Sequence, residues 1–186
     1  MKIQTLSIVA GSKACNAGCG FCVSRMTGLE LDAKEPDVNW RNFHKACRLA
    51  QMNNVTTALI TGKGEPTIFP GQITKFLLEM DDGEYDFPFI ELQTNGLLIA
   101  KGNCDDHLQA WYDLGMTTIA LSLVHWERDR NQEVYKFKGK NHYDLPALIK
   151  KLKDIGFSVR MTVMLLEGFV SCPGDIDNLI GFAKSN

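Results

Sequence analysis

No stretch of this 186-residue chain comes near the roughly 18 uninterrupted apolar residues that a membrane-crossing helix needs. No apolar leader forms behind Met1-Lys2 either, because Gln4 and Ser7 interrupt it, so the sequence predicts no secretion signal. Charge of one sign is also missing. Twenty basic residues against 22 acidic ones leave a net charge of −2, which gives no electrostatic reason to expect nucleic acid as a partner. Low-complexity linkers and internal repeats are absent, so residues 1–186 are expected to form one domain. What is present is an ordinary globular composition: 45% hydrophobic and 23% charged residues exclude intrinsic disorder. A chain of this length buries roughly 70% of its unfolded surface and folds without crosslinks.

Six cysteines stand out: Cys15, Cys19, Cys22, Cys47, Cys104 and Cys172. Disulfide frameworks belong mainly to short secreted chains. Without a secretion signal, a reducing compartment fits better, and the cytoplasm is the expected location. The spacing then decides what the thiols do.

The chain reads as strands alternating with helices. Predicted strands cover Lys2–Val9, Val55–Thr61, Phe87–Thr94, Thr117–Val124 and Phe157–Leu166. Asn39 is placed to cap a helix carrying Trp40, Phe43, Cys47 and Ala50 on one face. Pro70 opens a helix with Ile73, Phe76, Leu77 and Met80 at helical spacing. Asn103 is read as the cap of the next, with Leu108, Trp111 and Tyr112 inward and Gly115 as its stop. Further helices are expected over Tyr143–Ile155 and Asp175–Lys184, the last with Ile176, Leu179, Ile180 and Ala183 apolar. The polar stretch His125–Asn141 reads as a long connector. Within it, Tyr135 and Phe137 with Lys136, Lys138 and Lys140 suit either a solvated loop or a grip on an anionic substrate. Five β-α units in succession imply a parallel sheet covered by helices, either open or curved into a barrel. In both, ligands bind at the C-terminal ends of the strands, so the residues after each strand carry the functional information.

After the first strand comes Cys15-Asn16-Ala17-Gly18-Cys19-Gly20-Phe21-Cys22, a C-x3-C-x2-C loop. Three thiolates this close can converge on one metal centre, and thiolates favour iron–sulfur clusters or zinc. Three ligands leave a coordination position open, as catalytic sites do. A structural zinc site would need a remote fourth ligand, with His44, Cys47 and Cys104 the candidates. The loop resembles that of the radical S-adenosylmethionine (radical SAM) enzymes, in which three cysteines hold a [4Fe–4S] cluster. Phe21 occupies the place where that family carries an aromatic residue before its third cysteine.

The later strand ends carry the resemblance further. Gly62-Lys63-Gly64-Glu65-Pro66 resembles the family's glycine-rich motif for the methionine amino group, with Lys63 departing from the commonest all-glycine form. Thr94-Asn95-Gly96 resembles a segment lining the cofactor pocket, and also reads as a plain turn. Ser122 is similar in place to the family's ribose-binding residue. Arg160, inside an apolar strand, needs a partner for its charge, which the resemblance would supply as a cofactor carboxylate; the other reading is a surface arginine. His125, at the mouth of the fourth strand, is a candidate for handling a proton or touching substrate.

The resemblance implies a partial (β/α) barrel of five to six parallel strands with outer helices, open on one side. It implies a [4Fe–4S] cluster at Cys15, Cys19 and Cys22, S-adenosylmethionine as cofactor, and a 5′-deoxyadenosyl radical that abstracts hydrogen from a substrate. The partners it implies are that substrate and a one-electron donor of flavodoxin or ferredoxin type; from the composition, no membrane is expected and nucleic acid is disfavoured as a partner. Relatives usually have six or more units. The five here are expected to be a fragment, a minimal open sheet, or a sheet completed by a partner. The alternative from a different class is a non-catalytic iron–sulfur or zinc module.

Overall fold

Short β-branched and apolar runs give five strands, the first three closed by Gly11, Gly62 and Asn95. In the computed structural model, which describes residues 3–26, 34–137 and 143–186, they are β1 (Thr5–Val9), β2 (Thr57–Thr61), β3 (Phe89–Thr94), β4 (Met116–Leu123) and β5 (Ser158–Val163). All pair in parallel in the order β1-β2-β3-β4-β5. Sequential parallel pairing with right-handed crossovers puts every connecting helix on one face of the sheet. The result is the helix-covered parallel sheet that the alternation predicted and the partial β/α barrel that the resemblance implied, with β1 and β5 as its edges among the described residues.

The helices are α1 (Val23–Met26), α2 (Trp40–Met52), α3 (Pro70–Asp82), α4 (Leu97–Ala100), α5 (Asp105–Asp113), α6 (Arg128–Tyr135), α7 (Leu145–Ile155) and α8 (Pro173–Ser185), with a 3₁₀ turn at Pro66–Ile68. Asn39 caps α2 by accepting the Asn42 N–H at 3.0 Å. Phe43, Cys47 and Ala50 of α2 are buried, as are Ile73, Phe76, Leu77 and Met80 of α3. The rings of Trp40, Phe43 and Phe76 meet at centroid distances of 5.2 to 5.7 Å and join the two helices. Asp144 caps α7 through the Ala147 N–H, at 2.9 Å.

The strand period of two divides the sheet into two chemistries. Ile8, Ile60, Leu92, Ile119 and Leu121 point to the helices and form the core. The alternate residues, among them Thr61, Glu91, Gln93, Ser122 and Arg160, stand on the concave face, which is largely polar.

Three local expectations are corrected, and the last helix forms where expected but packs differently from the others. Cys104, not Asn103, takes the position before α5; the Asn103 N–H instead closes a turn on the Leu98 carbonyl. Tyr112 is exposed, its ring edge-on to Phe157. The polar connector contains α6, whose Arg-Asp-Arg-Asn-Gln-Glu-Val-Tyr sequence has almost no apolar stripe; buried Asn131 and Tyr135 hold it. Finally, α8 buries none of its residues, and Ile176 and Ile180 stay 40% and 46% exposed. A crossover helix packs between the strand it leaves and the next one, and β5 has no next strand among the described residues.

Candidate functional site

The cysteine loop is tied down at alternate residues by the ends of the next three β-α units. The Ala14 carbonyl accepts the Glu65 N–H at 2.9 Å, from the loop after β2. Asn16 Oδ1 accepts from Asn95 Nδ2 at 2.7 Å, from the turn after β3. The Gly18 N–H donates to the Tyr135 carbonyl at 2.7 Å, at the end of α6 after β4. Beneath the loop lies a small apolar bed of Ala17, Leu97, Val124, Tyr135 and Phe137, against which Cys15, Cys19 and Phe21 pack. Phe21 meets Tyr135 edge-on at 6.1 Å. Tyr135 and Phe137 therefore support the loop rather than grip a substrate from a solvated one; Lys138 and Lys140 lie outside the described residues.

Cys15, Cys19 and Cys22 are each half-buried, and no disulfide joins them. Burial pushes the Cys15 thiol up, the Ala17 N–H opposes this, and the charges of Glu65 and Cys22 push it further. Such a thiol ionises far more readily when a metal cation binds its sulfur, the displaced proton leaving to water, than it does as a bare thiolate.

The glycine-rich segment braces this arrangement. A Cβ on Gly64 would stand 2.0 Å from the Ala14 carbonyl oxygen, so only glycine allows the two loops to meet. Gly62 is hemmed by the Gly64 and Ala10 carbonyls and the Pro66 ring. Pro66 is buried and opens the 3₁₀ turn, and Lys63 is exposed. The Glu65 carboxylate is buried and accepts four hydrogen bonds: from the Thr67 N–H (3.1 Å), the Thr67 and Thr94 hydroxyls (2.6 Å each) and the Asn95 N–H (2.8 Å). Burial raises its pKa while these donors pull it down. Thr94 in turn accepts the Gly96 N–H at 3.0 Å. Glu65 is thus a brace joining the ends of β2 and β3.

On the concave face, Arg160 reaches across the small Ala120 of β4 to pair with the buried Glu91 of β3. This carboxylate, from the chain itself, is the charge partner the sequence required. Thr61 donates to Gln93 on the same face at 3.2 Å. Ser122 is half-buried one step nearer the strand mouth. His125 is buried, stacked on Trp126 at 4.0 Å, and its Nδ1 accepts the Glu127 N–H at 3.0 Å. That assigns the neutral ring's proton to Nε2, and burial holds the pKa below the ordinary value.

The donor set suits a cluster better than a single ion. Among the described residues, no three His, Cys, Asp or Glu side chains close around one metal-sized point. The remote zinc candidates are engaged elsewhere: His44 bonds Glu79 and Tyr85, Cys47 sits in the core, and Cys104 lies against the Thr67 carbonyl. In a four-iron cluster each thiolate binds a different iron, so three half-buried thiols spread along one loop are what it requires. Asn16 was not singled out from the sequence, although it lies between the first two cysteines. Tyr143, whose hydroxyl donates to the Asn95 carbonyl at 2.9 Å, carries no sequence signal at all.

Residues 9–172 match the family model of the radical SAM superfamily. No curated protein matches the chain. Among solved structures, SuiB from Streptococcus suis bound to S-adenosylmethionine superposes with a TM-score of 0.66 at 20% identity, over 98% of this chain and 38% of that one. SuiB bound to its precursor peptide SuiA gives 0.64 at 21% identity, over 98% and 37%. The protein anSMEcpe with bound AdoMet gives 0.62 at 15% identity, over 88% and 44%. The chain therefore spans 37–44% of the length of these proteins. Their likeness carries the fold, and the family model carries the kinship.

Proposed function

Because the chain belongs to the radical SAM superfamily, whose enzymes use a [4Fe–4S] cluster and S-adenosylmethionine, we propose that Cys15, Cys19 and Cys22 hold that cluster and that the chain is the core of an enzyme acting on a substrate in the concave face. The observation that carries this reading is the three-point docking of the cysteine loop, at Ala14, Asn16 and Gly18, onto the ends of the following three units. When bound, the two cofactors supply reductive cleavage of S-adenosylmethionine and hydrogen-atom abstraction.

The chain's own residues bind, orient and exclude water. Phe21 and Tyr135 wall the loop on its apolar side. The backbone of Gly62, Lys63, Gly64, Glu65 and Pro66, with Thr94 and Asn95, forms the cofactor rim; the Glu65 and Thr94 side chains are already bonded to each other, so the rim offers mainly backbone groups. Ser122 suits a ribose hydroxyl. Arg160 meets a cofactor carboxylate only by leaving Glu91. His125 is a neutral ring beside the strand mouth and a proton carrier in this reading.

The polar concave face favours a substrate with hydrogen-bonding groups, and a peptide such as the one SuiB was solved with fits. The reading also calls for a one-electron donor of flavodoxin or ferredoxin type and for a reducing compartment, the cytoplasm. No helix among the described residues is long and apolar enough to cross a membrane. The test is anaerobic: the reconstituted protein, reduced with dithionite and given S-adenosylmethionine, is expected to release 5′-deoxyadenosine and methionine. A cluster-loaded protein that releases neither under reduction would favour the non-catalytic iron–sulfur module instead.

A further inference from the structure

Asn16 stands at the end of a chain of amide hydrogen bonds that starts in the turn after β3. The Leu97 N–H donates to Asn95 Oδ1 at 3.1 Å, which fixes which way the Asn95 amide faces. Asn95 Nδ2 must then be the donor to Asn16 Oδ1, at 2.7 Å, and this fixes the Asn16 amide in turn. The consequence falls on Asn16 Nδ2. It is sealed from solvent and has no acceptor among the described residues. Leaving a buried donor unpaired costs about 1–3 kcal/mol, so such groups as a rule have a partner. The amide cannot flip to escape, because the flip would set two donors against each other at Asn95.

Asn16 belongs to the C-x3-C-x2-C segment that carries the three cysteines. Asn16 follows Cys15 directly and is held within the C-x3-C segment by the ties at Ala14 and Gly18. We propose that the Asn16 side-chain amide donates a hydrogen bond to a sulfur of the cluster bound by Cys15, Cys19 and Cys22, and so sets that cluster's reduction potential. The inference rests on the cluster reading above. Sulfur in an iron–sulfur cluster is an acceptor, and hydrogen bonds to it are among the factors that tune potential. Reduction adds negative charge, so a donor N–H favours the reduced form and raises the potential. Asn16 is then a tuning residue whose own partners, Asn95 and Leu97, belong to the neighbouring unit. The turn after β3 therefore reaches the metal centre through one side chain.

The test uses the reconstituted chain without S-adenosylmethionine, so that a cofactor carboxylate cannot be the acceptor. In Asn16→Ala, the equilibrium constant for one-electron reduction is expected to fall about tenfold, a midpoint about 59 mV more negative for a one-electron couple. Wild-type protein carrying side-chain-¹⁵N asparagine supplies a measurement that no folding failure can spoil. Its reduced cluster is expected to show a ¹⁵N hyperfine coupling in pulsed electron paramagnetic resonance. If Asn16→Ala also loads iron, the coupling should vanish there. A loaded wild-type cluster without the coupling, or an unchanged midpoint in Asn16→Ala, overturns the hydrogen bond and leaves the cluster reading intact. A wild-type protein that takes up no cluster overturns both.

Discussion

Glu65 separates a brace from a ligand. All four of its partners are donors, so a glutamine would set an NH₂ group against one of them. Glu65→Gln is expected to destabilise the metal-free chain by about 1–3 kcal/mol, read as a loss in a urea denaturation midpoint. Were Glu65 chiefly a cofactor ligand, the metal-free stability would not move. His125 makes a pH-dependent prediction. Burial depresses its pKa in the folded state below the usual 6.5. Between those two values the unfolded chain binds the proton and the folded chain does not, so stability is full above the unfolded value and falls as pH drops below it. Denaturation at pH 7.5 and pH 5.5 should show that loss, and His125→Gln should reduce it. An undiminished loss in the variant would place its origin in other groups.

The elements differ in how they are held, and substitution should show it. In the loop after β2, a Cβ at Gly64 strikes the Ala14 backbone, whereas one at Gly20 meets nothing within 4 Å. Gly64→Ala should therefore lose most of its iron on reconstitution while Gly20→Ala keeps it. Among the helices, Leu152→Ala in α7 removes a wholly buried side chain and should cost about 2–5 kcal/mol. Ile180→Lys on the exposed face of α8 should stay within about 0.5 kcal/mol of the parent chain. The same contrast explains what was legible in the sequence. The helices α2, α3 and α7 announce themselves because start signal (Asn39 and Asp144 as caps, Pro70 in the first turn), apolar spacing and burial agree. The apolar stripe of α8 is as plain in the sequence, yet what a stripe packs against is a tertiary fact. Nor did α6 declare itself, since its polar sequence is held by two buried residues instead of a face. At the site, cysteine spacing and the glycine-rich segment were legible as local strings. The pairing of Glu91 with Arg160 and the support of the loop by Tyr135 join residues 69 and more than 100 positions apart, and no local pattern records them.

For the whole molecule, parallel strands in sequence order bring every C-terminal strand end to one rim, and the cysteine loop is bonded to three successive units of that rim. The same geometry leaves β1 and β5 as edges among the described residues, and leaves a concave face lined by Thr61, Gln93, Glu91 and Arg160. The chain covers 37% and 38% of the two SuiB chains while 98% of its own length superposes, so what it shares with them is this fold. We propose that this rim holds an iron–sulfur cluster. Metal analysis after anaerobic reconstitution tests it most directly. About four irons per chain are predicted, falling to none in Cys19→Ala; a colourless protein holding a single zinc, or a Cys19→Ala variant with its iron intact, would show that the three cysteines hold no such cluster.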